Sequence, residues 1–168
     1  MADRVSAQIT IGGIIAASAL PGLLTAIQDE GLSTEYDGGP FEPGELVSGY
    51  ALTLCGHEVA GGTFNVLEAF CRTHRLAYSR WYGASSGAWG AGRSTYRGVD
   101  ETREGDEGVD DYDASDDDQT LMGEQLARHL GSYEAIITHF EQASFAVPPL
   151  EITGATDCVR TDATDVPA

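Results

Sequence analysis

The chain has 168 residues, enough for one hydrophobic core, and carries 27 Asp and Glu against nine basic residues for a formal charge of −18. Every basic residue is arginine, and such a charge repels DNA, RNA and anionic membranes while favouring cationic partners, which argues against direct nucleic-acid binding. Cys55, Cys71 and Cys158 are an odd number without a dense framework, which fits reduced thiols in a cytoplasmic protein rather than a secreted disulfide scaffold.

The first segment, Val5 to Gln28, holds no charged residue. Ser6, Gln8, Thr10, Gly12, Gly13, Pro21 and Gly22 dilute it, and the start Met1-Ala2-Asp3-Arg4 is not the basic opening of a signal peptide, so a soluble strand and helix are expected rather than a membrane span. Val5, Ala7, Ile9 and Ile11 alternate with Ser6, Gln8 and Thr10, the period of a strand with one buried face. A helix over about 18–30 follows, with Pro21 near its first turn and Gly31 as its stop, and then a strand over 32–36.

Residues 9–27 align without a gap on residues 52–70. Thr10/Thr53, Gly13/Gly56, Ala17/Ala60, Leu24/Leu67 and Ala26/Ala69 are identical. The second copy predicts a strand over 50–55, a helix over about 63–74 and a strand over 76–82. Two such units in tandem predict an α+β fold: a ferredoxin-like duplicated βαβ, with two helices on one face of an antiparallel sheet, plus an extra strand near 93–97 and two C-terminal helices. The expected organisation is a core over 1–98, an acidic loop over 99–118, helices over 119–152 that pack on the core, and a flexible tail over 153–168.

The loop is the sharpest change in the chain. Eleven of its twenty residues are acidic and only Arg103 opposes them, so it is read as solvated, without an apolar period to anchor it. Beyond it, a short helix around 121–130 precedes a second whose Tyr133, Ile136, Ile137 and Phe140 share one stripe. That stripe needs a surface, which either the second face of the sheet or a partner would supply. Residues 145–152, broken by Pro148-Pro149, suit an extended edge segment.

Several patterns invite a chemical reading. Gly83-Ala84-Ser85-Ser86-Gly87 has the form of a nucleophile elbow, with His129 or His139 as base, but the glycine-rich, β-forming sequence after it does not predict the helix that the elbow requires. Gly87 to Ser94 has phosphate-loop spacing with Arg93 in place of lysine and lacks a following helix. Cys55, His57, Cys71 and His74 have zinc-ligand chemistry, yet the strand register points Cys55 and His57 away from the face on which Cys71 and His74 pack. Residues 104–118 have only a superficial likeness to a calcium loop, because after Asp111 and Asp113 the expected glycine and terminal glutamate are missing. No metal and no cofactor is therefore expected. Tyr78, Arg80 and Tyr82 share one strand face, expected to lie under the C-terminal helix or against a protein.

The reading favoured by charge is a non-enzymatic acidic binding protein, a nucleic-acid-mimicking inhibitor of anti-restriction or anti-CRISPR type. Its partner would be a basic protein or nucleic-acid-processing complex, with Asp106, Glu107, Asp110, Asp111, Asp113, Asp116, Asp117 and Asp118 as partner-binding residues. The alternative places function in the fold: a small-ligand or assembly module, including a homo-oligomer, from a salt-adapted or GC-rich organism. Its pocket would lie between Gly56-His57-Glu58 and the 83–92 loop. A small serine hydrolase using Ser85 is the third reading.

Overall fold

The alternating apolar residues at the start of the chain form a 13-residue strand, β1 (Arg4–Ala16), in the computed structural model, which describes residues 3–98 and 108–154. A single 3-10 turn leads into α1 (Leu20–Asp29), with Pro21 in its first turn, where the missing amide costs no helical hydrogen bond. β2 (Leu52–Ala60), α2 (Asn65–Thr73) and β3 (Ala77–Tyr82) follow as the second copy predicts. β4 (Gly92–Tyr96), β5 (Val109–Asp113), α3 (Glu124–Leu130), α4 (Tyr133–Ala143) and β6 (Leu150–Thr153) complete the described chain. The fold is thus mixed α+β, with four helices and a mostly antiparallel six-stranded open sheet of order β2-β1-β3-β4-β5, β6 running parallel to the end of β1.

The first strands of the two copies pair with each other at one end of this sheet. β1 and β2 pair antiparallel through Ile9–Leu54, Thr10–Thr53 and Ile11–Leu52, so the equivalent threonines face each other and share a 3.0 Å hydroxyl hydrogen bond. Ala7, Ile9, Ile11, Leu52, Leu54 and Tyr78 supply the sheet side of the core. Leu23, Ala26 and Ile27 of α1, with Leu67 and Cys71 of α2, close over the same face.

Two expected elements differ. Residues 32–36 contribute one isolated bridge, Ser33 to Cys55, instead of a strand. The Gly38 amide turns back onto the Glu35 carbonyl at 3.0 Å and Phe41 returns to Leu32 at 3.1 Å, so Asp37-Gly38-Gly39-Pro40 bends the chain before a ladder can extend. Conversely, Val109–Asp113, expected as loop, is the edge strand β5, because β4 supplies a full antiparallel partner from Gly92 to Tyr96. Its aspartates guard an edge that would otherwise invite pairing with another chain. Residues 99–107 and 155–168, which include Asp106, Glu107, Cys158 and most of the expected tail, lie outside the described residues.

Of the expected stripe on α4, Ile136 and Phe140 are half-buried and Ile137 stays exposed, while the helix meets the second sheet face through His139 and the Ala143 carbonyl. There His139 packs edge-on against Tyr112, with ring centroids 5.2 Å apart, and Arg93 Nη1 donates to the Ala143 carbonyl at 2.7 Å. Tyr133, at the other end of the helix, stays 73 % exposed. Among the described residues no helix is long and apolar enough to cross a membrane.

The crossing of β1 and the chain before β6 depends on Gly12. A Cβ there would fall on the Pro148 carbonyl oxygen, next to the 3.0 Å hydrogen bond from Gly13 N to Pro149 O. Gly12→Ala must push the two backbones apart and is expected to cost about 3 kcal/mol, read as a lowered urea midpoint.

Candidate functional site

The sheet has one dry face and one polar face. Register places Ser6, Gln8 and Thr10 of β1, Thr53, Cys55 and His57 of β2, Ser79 and Trp81 of β3, and Arg93 of β4 together on the side away from α1 and α2. Over this floor fold the 32–36 bend, the turn at 115–118 and the end of α4.

A recess of about 460 Å³ opens in that face. Ser6 and Gln8 form its floor, and Gln8 pairs in register with both Cys55 and Trp81. One wall is Tyr36 and His57, whose rings lie 5.0 Å apart and tilted by 43°. The facing wall is Trp81, about two strand spacings or ~10 Å across the sheet from β2. Asp116 and Asp118 form the rim. The bend that spoils the 32–36 strand is what delivers Tyr36: hydrogen bonds of 3.2 Å and 2.8 Å between Ser33 and Cys55 hold it beside β2.

The polar groups around the recess differ in what they have left to give. Trp81 donates its indole N–H to the Ser115 carbonyl at 3.0 Å, which fixes the acidic turn. Asp118, at φ +56°, accepts from Arg93 Nε at 2.9 Å on its carboxylate and from Nη2 at 2.5 Å on its backbone carbonyl, with Nη2 also 2.7 Å from Oδ1 as an ion pair, so its charge is matched internally. His57 Nε2 stands 3.5 Å from Asp37. Asp116 is exposed and, among the described residues, has no partner. Burial raises the Tyr36 phenol above its ordinary range, with Cys55 and Asp118 adding to the effect, and burial likewise raises the Cys55 thiol.

The acidic residues singled out by sequence differ in their internal contacts. Asp111 accepts a short hydrogen bond from the Ser94 hydroxyl on the helix-covered face, and Asp118 is clamped by Arg93. Asp110 lies opposite Thr95 and is also engaged. Asp113, Asp116 and Asp117 are the exposed remainder, and Asp106 and Glu107 fall outside the described residues.

The other motifs are placed as follows. Ser85 sits in a hairpin turn closed by its reciprocal hydrogen bonds with Trp89, and β4 rather than a helix follows, so neither an elbow nor a phosphate cradle forms there. Cys55 donates to the Ser33 carbonyl from the polar face, while Cys71 is buried in the core on the opposite side. Among the described residues no group of three or more His, Cys, Asp or Glu stands ready to hold a metal ion. The pocket expected between 56–58 and the 83–92 loop is relocated: 56–58 is strand, and His57 looks across to Trp81 and the acidic turn instead.

No protein-family model, curated protein or solved structure matches this chain. Its role must be read from the site.

The face expected to display Tyr78, Arg80 and Tyr82 is the inward one, because Arg80 pairs with Ile9 and Tyr78 with Ile11. α2, not the C-terminal helix, covers it through Glu68. Arg80 Nε lies 2.6 Å from Glu68 Oε1 as an ion-pair contact without hydrogen-bond alignment, and Arg80 Nη1 donates to the Gly62 carbonyl at 2.6 Å. The residues that face the recess, Trp81 above all, are their alternating neighbours.

Proposed function

We propose that this protein is a cytoplasmic, non-enzymatic acidic binding protein that occludes the cationic surface of a nucleic-acid-processing or defence complex, of anti-restriction or anti-CRISPR type, on a ferredoxin-like duplicated βαβ core. The pairing of Thr10 with Thr53 and the neighbouring of β1 with both β2 and β3 support the duplication. One observation carries the functional reading: three arginines of the sheet region, Arg80, Arg93 and Arg97, are turned onto the protein's own acceptors while carboxylates remain in solvent at one sheet edge. Arg80 is taken by Glu68, Arg93 by Asp118, and Arg97 by the Gln142 carbonyl and the Phe145 ring. Asp113, Asp116 and Asp117 stay exposed at and just beyond β5.

Charges so arranged steer a basic partner and compete with phosphates for it, without any chemical step. Immobilised full-length protein is expected to retain a basic nucleic-acid-binding complex from the source cell and to displace its nucleic acid. Retention should fall at least about tenfold between about 50 and 500 mM salt. Asp113→Asn/Asp116→Asn/Asp117→Asn should lose most of it at low salt. Undiminished retention by that triple variant would remove the acidic edge from the mechanism. Unfolding of the wild-type protein at low salt would instead favour the salt-adapted module.

A further inference from the structure

We infer that the recess between Tyr36, His57 and Trp81 is a binding site for a guanidinium group. The assignment goes beyond the partner reading, since it rests on the walls of the recess and requires no protein partner.

The volume of about 460 Å³ is in the range of small-ligand sites, which combine aromatic walls with a few polar groups that fix orientation. Rings stand on two opposing sides here, and the charged groups of the lining are carboxylates, the His57 imidazole standing 3.5 Å from a carboxylate of its own, Asp37. The positive side chain nearest the rim, Arg93, spends its contacts on Asp118 and the Ala143 carbonyl. Trp81 has spent its N–H on Ser115. Its indole ring is left to line the recess. Asp116, with no partner among the described residues, supplies a carboxylate, and Gln8 and Ser6 supply oxygen acceptors beneath. An anion would meet Asp116 and the negative field of the whole chain. A neutral apolar group would leave that carboxylate unanswered.

Among cations, the planar guanidinium fits better than an ammonium. It stacks on aromatic faces, is weakly hydrated, and presents a fork of donors to a carboxylate, whereas an ammonium is a compact and strongly hydrated charge. The protein already uses both contacts elsewhere: Arg97 lies 4.6 Å over the Phe145 ring, and Arg93 meets Asp118 through two nitrogens.

The test is a calorimetric titration of the full chain with agmatine, paralleled by the fluorescence of Trp81 in a Trp89→Phe background. Saturable binding is expected, at least about tenfold tighter for agmatine than for the ammonium analogue 1,4-diaminobutane. Asp116→Asn should weaken it by a similar factor. Asp113→Asn/Asp117→Asn should leave it unchanged, which separates the recess from the acidic edge. Trp81→Leu should abolish it, with the urea midpoint of that variant recorded to show that it folds. A glycyl-arginyl-glycine amide distinguishes the two sources of the group: equal affinity points to an arginine on a protein, and preference for agmatine points to a free metabolite. No saturable heat up to about 10 mM agmatine, or equal affinity for the ammonium analogue, overturns the assignment. Failure to retain a basic complex would leave this titration unaffected.

Discussion

Glu68→Ala is expected to destabilise the protein by about 3–5 kcal/mol, because it strands a buried arginine. Glu68 is 4 % exposed and Arg80 6 %. One carboxylate oxygen accepts the Phe64 amide at 3.0 Å at the start of α2 and faces Arg80, and the other accepts the Tyr78 hydroxyl at 3.2 Å. Arg80 in turn donates to Ser94, which donates to Asp111 on the edge strand. Removal of Glu68 therefore costs the charge partner of Arg80, the helix-start contact and the acceptor of Tyr78 together. The double variant Glu68→Leu/Arg80→Met removes both charges and should recover most of the loss, since a buried pair replaced by apolar groups is often close to neutral. Urea unfolding of wild type, the single variant and the double variant checks this. A single variant within about 1 kcal/mol of wild type would show that the pair is solvated in solution.

Alkaline pH should reach the same core from the next turn of α2. Burial, reinforced by the Glu68 carboxylate, pushes the Cys71 thiol from its ordinary 9.0 up to about 12. The unfolded chain then loses this proton before the folded chain does. The contribution is whole below about pH 9 and declines as the pH rises, by about 2 kcal/mol at pH 10.5 and about 4 kcal/mol once the folded pKa of about 12 is passed. Tyr78 shifts in the same direction through burial, so its contribution adds in the same alkaline range. Cys71→Ala loses some packing at neutral pH but has no thiol to ionise. The stability gap between wild type and this variant should hold up to about pH 9 and narrow between about pH 9 and 10.5 in urea titrations. A constant gap would mean that Cys71 is accessible to water in the folded state.

Much of the fold is legible from periodicity. Val5, Ala7, Ile9 and Ile11 define their strand and its inner face without reference to anything else, and the repeat at 52–70 carries that reading to β2 and α2. The same register separates Cys55 from Cys71, as the structure places them. The short helices are marked by local signals such as Gly131 in the left-handed conformation and the Ser132 side chain that accepts from Ala135 N.

The candidate site was not legible, and its parts show why. Tyr36 belongs to a segment whose alternation suits a strand, and the chain reversal at 37–41 decides otherwise. Trp81 alternates with Arg80, and sequence shows that the two lie on opposite faces without showing which face is open. The pairing of Arg80 with Ile9 decides that. β5 is a run of aspartates with no apolar period of its own, and it becomes a strand because β4 offers it a ladder.

By itself, then, the sequence determined the charge, the inward face of β1 and β2, the two helices that cover it, and the surplus of carboxylates over arginines. Each of these follows from neighbours along the chain. Tertiary structure alone decided which carboxylates remain available and where aromatic rings converge. Asp111 and Asp118 are consumed by Ser94 and Arg93, and Tyr36, His57, Trp81 and Asp116 meet across four separate segments. Periodicity fixes only which side of its own element a residue faces, whereas a site depends on how those elements are paired.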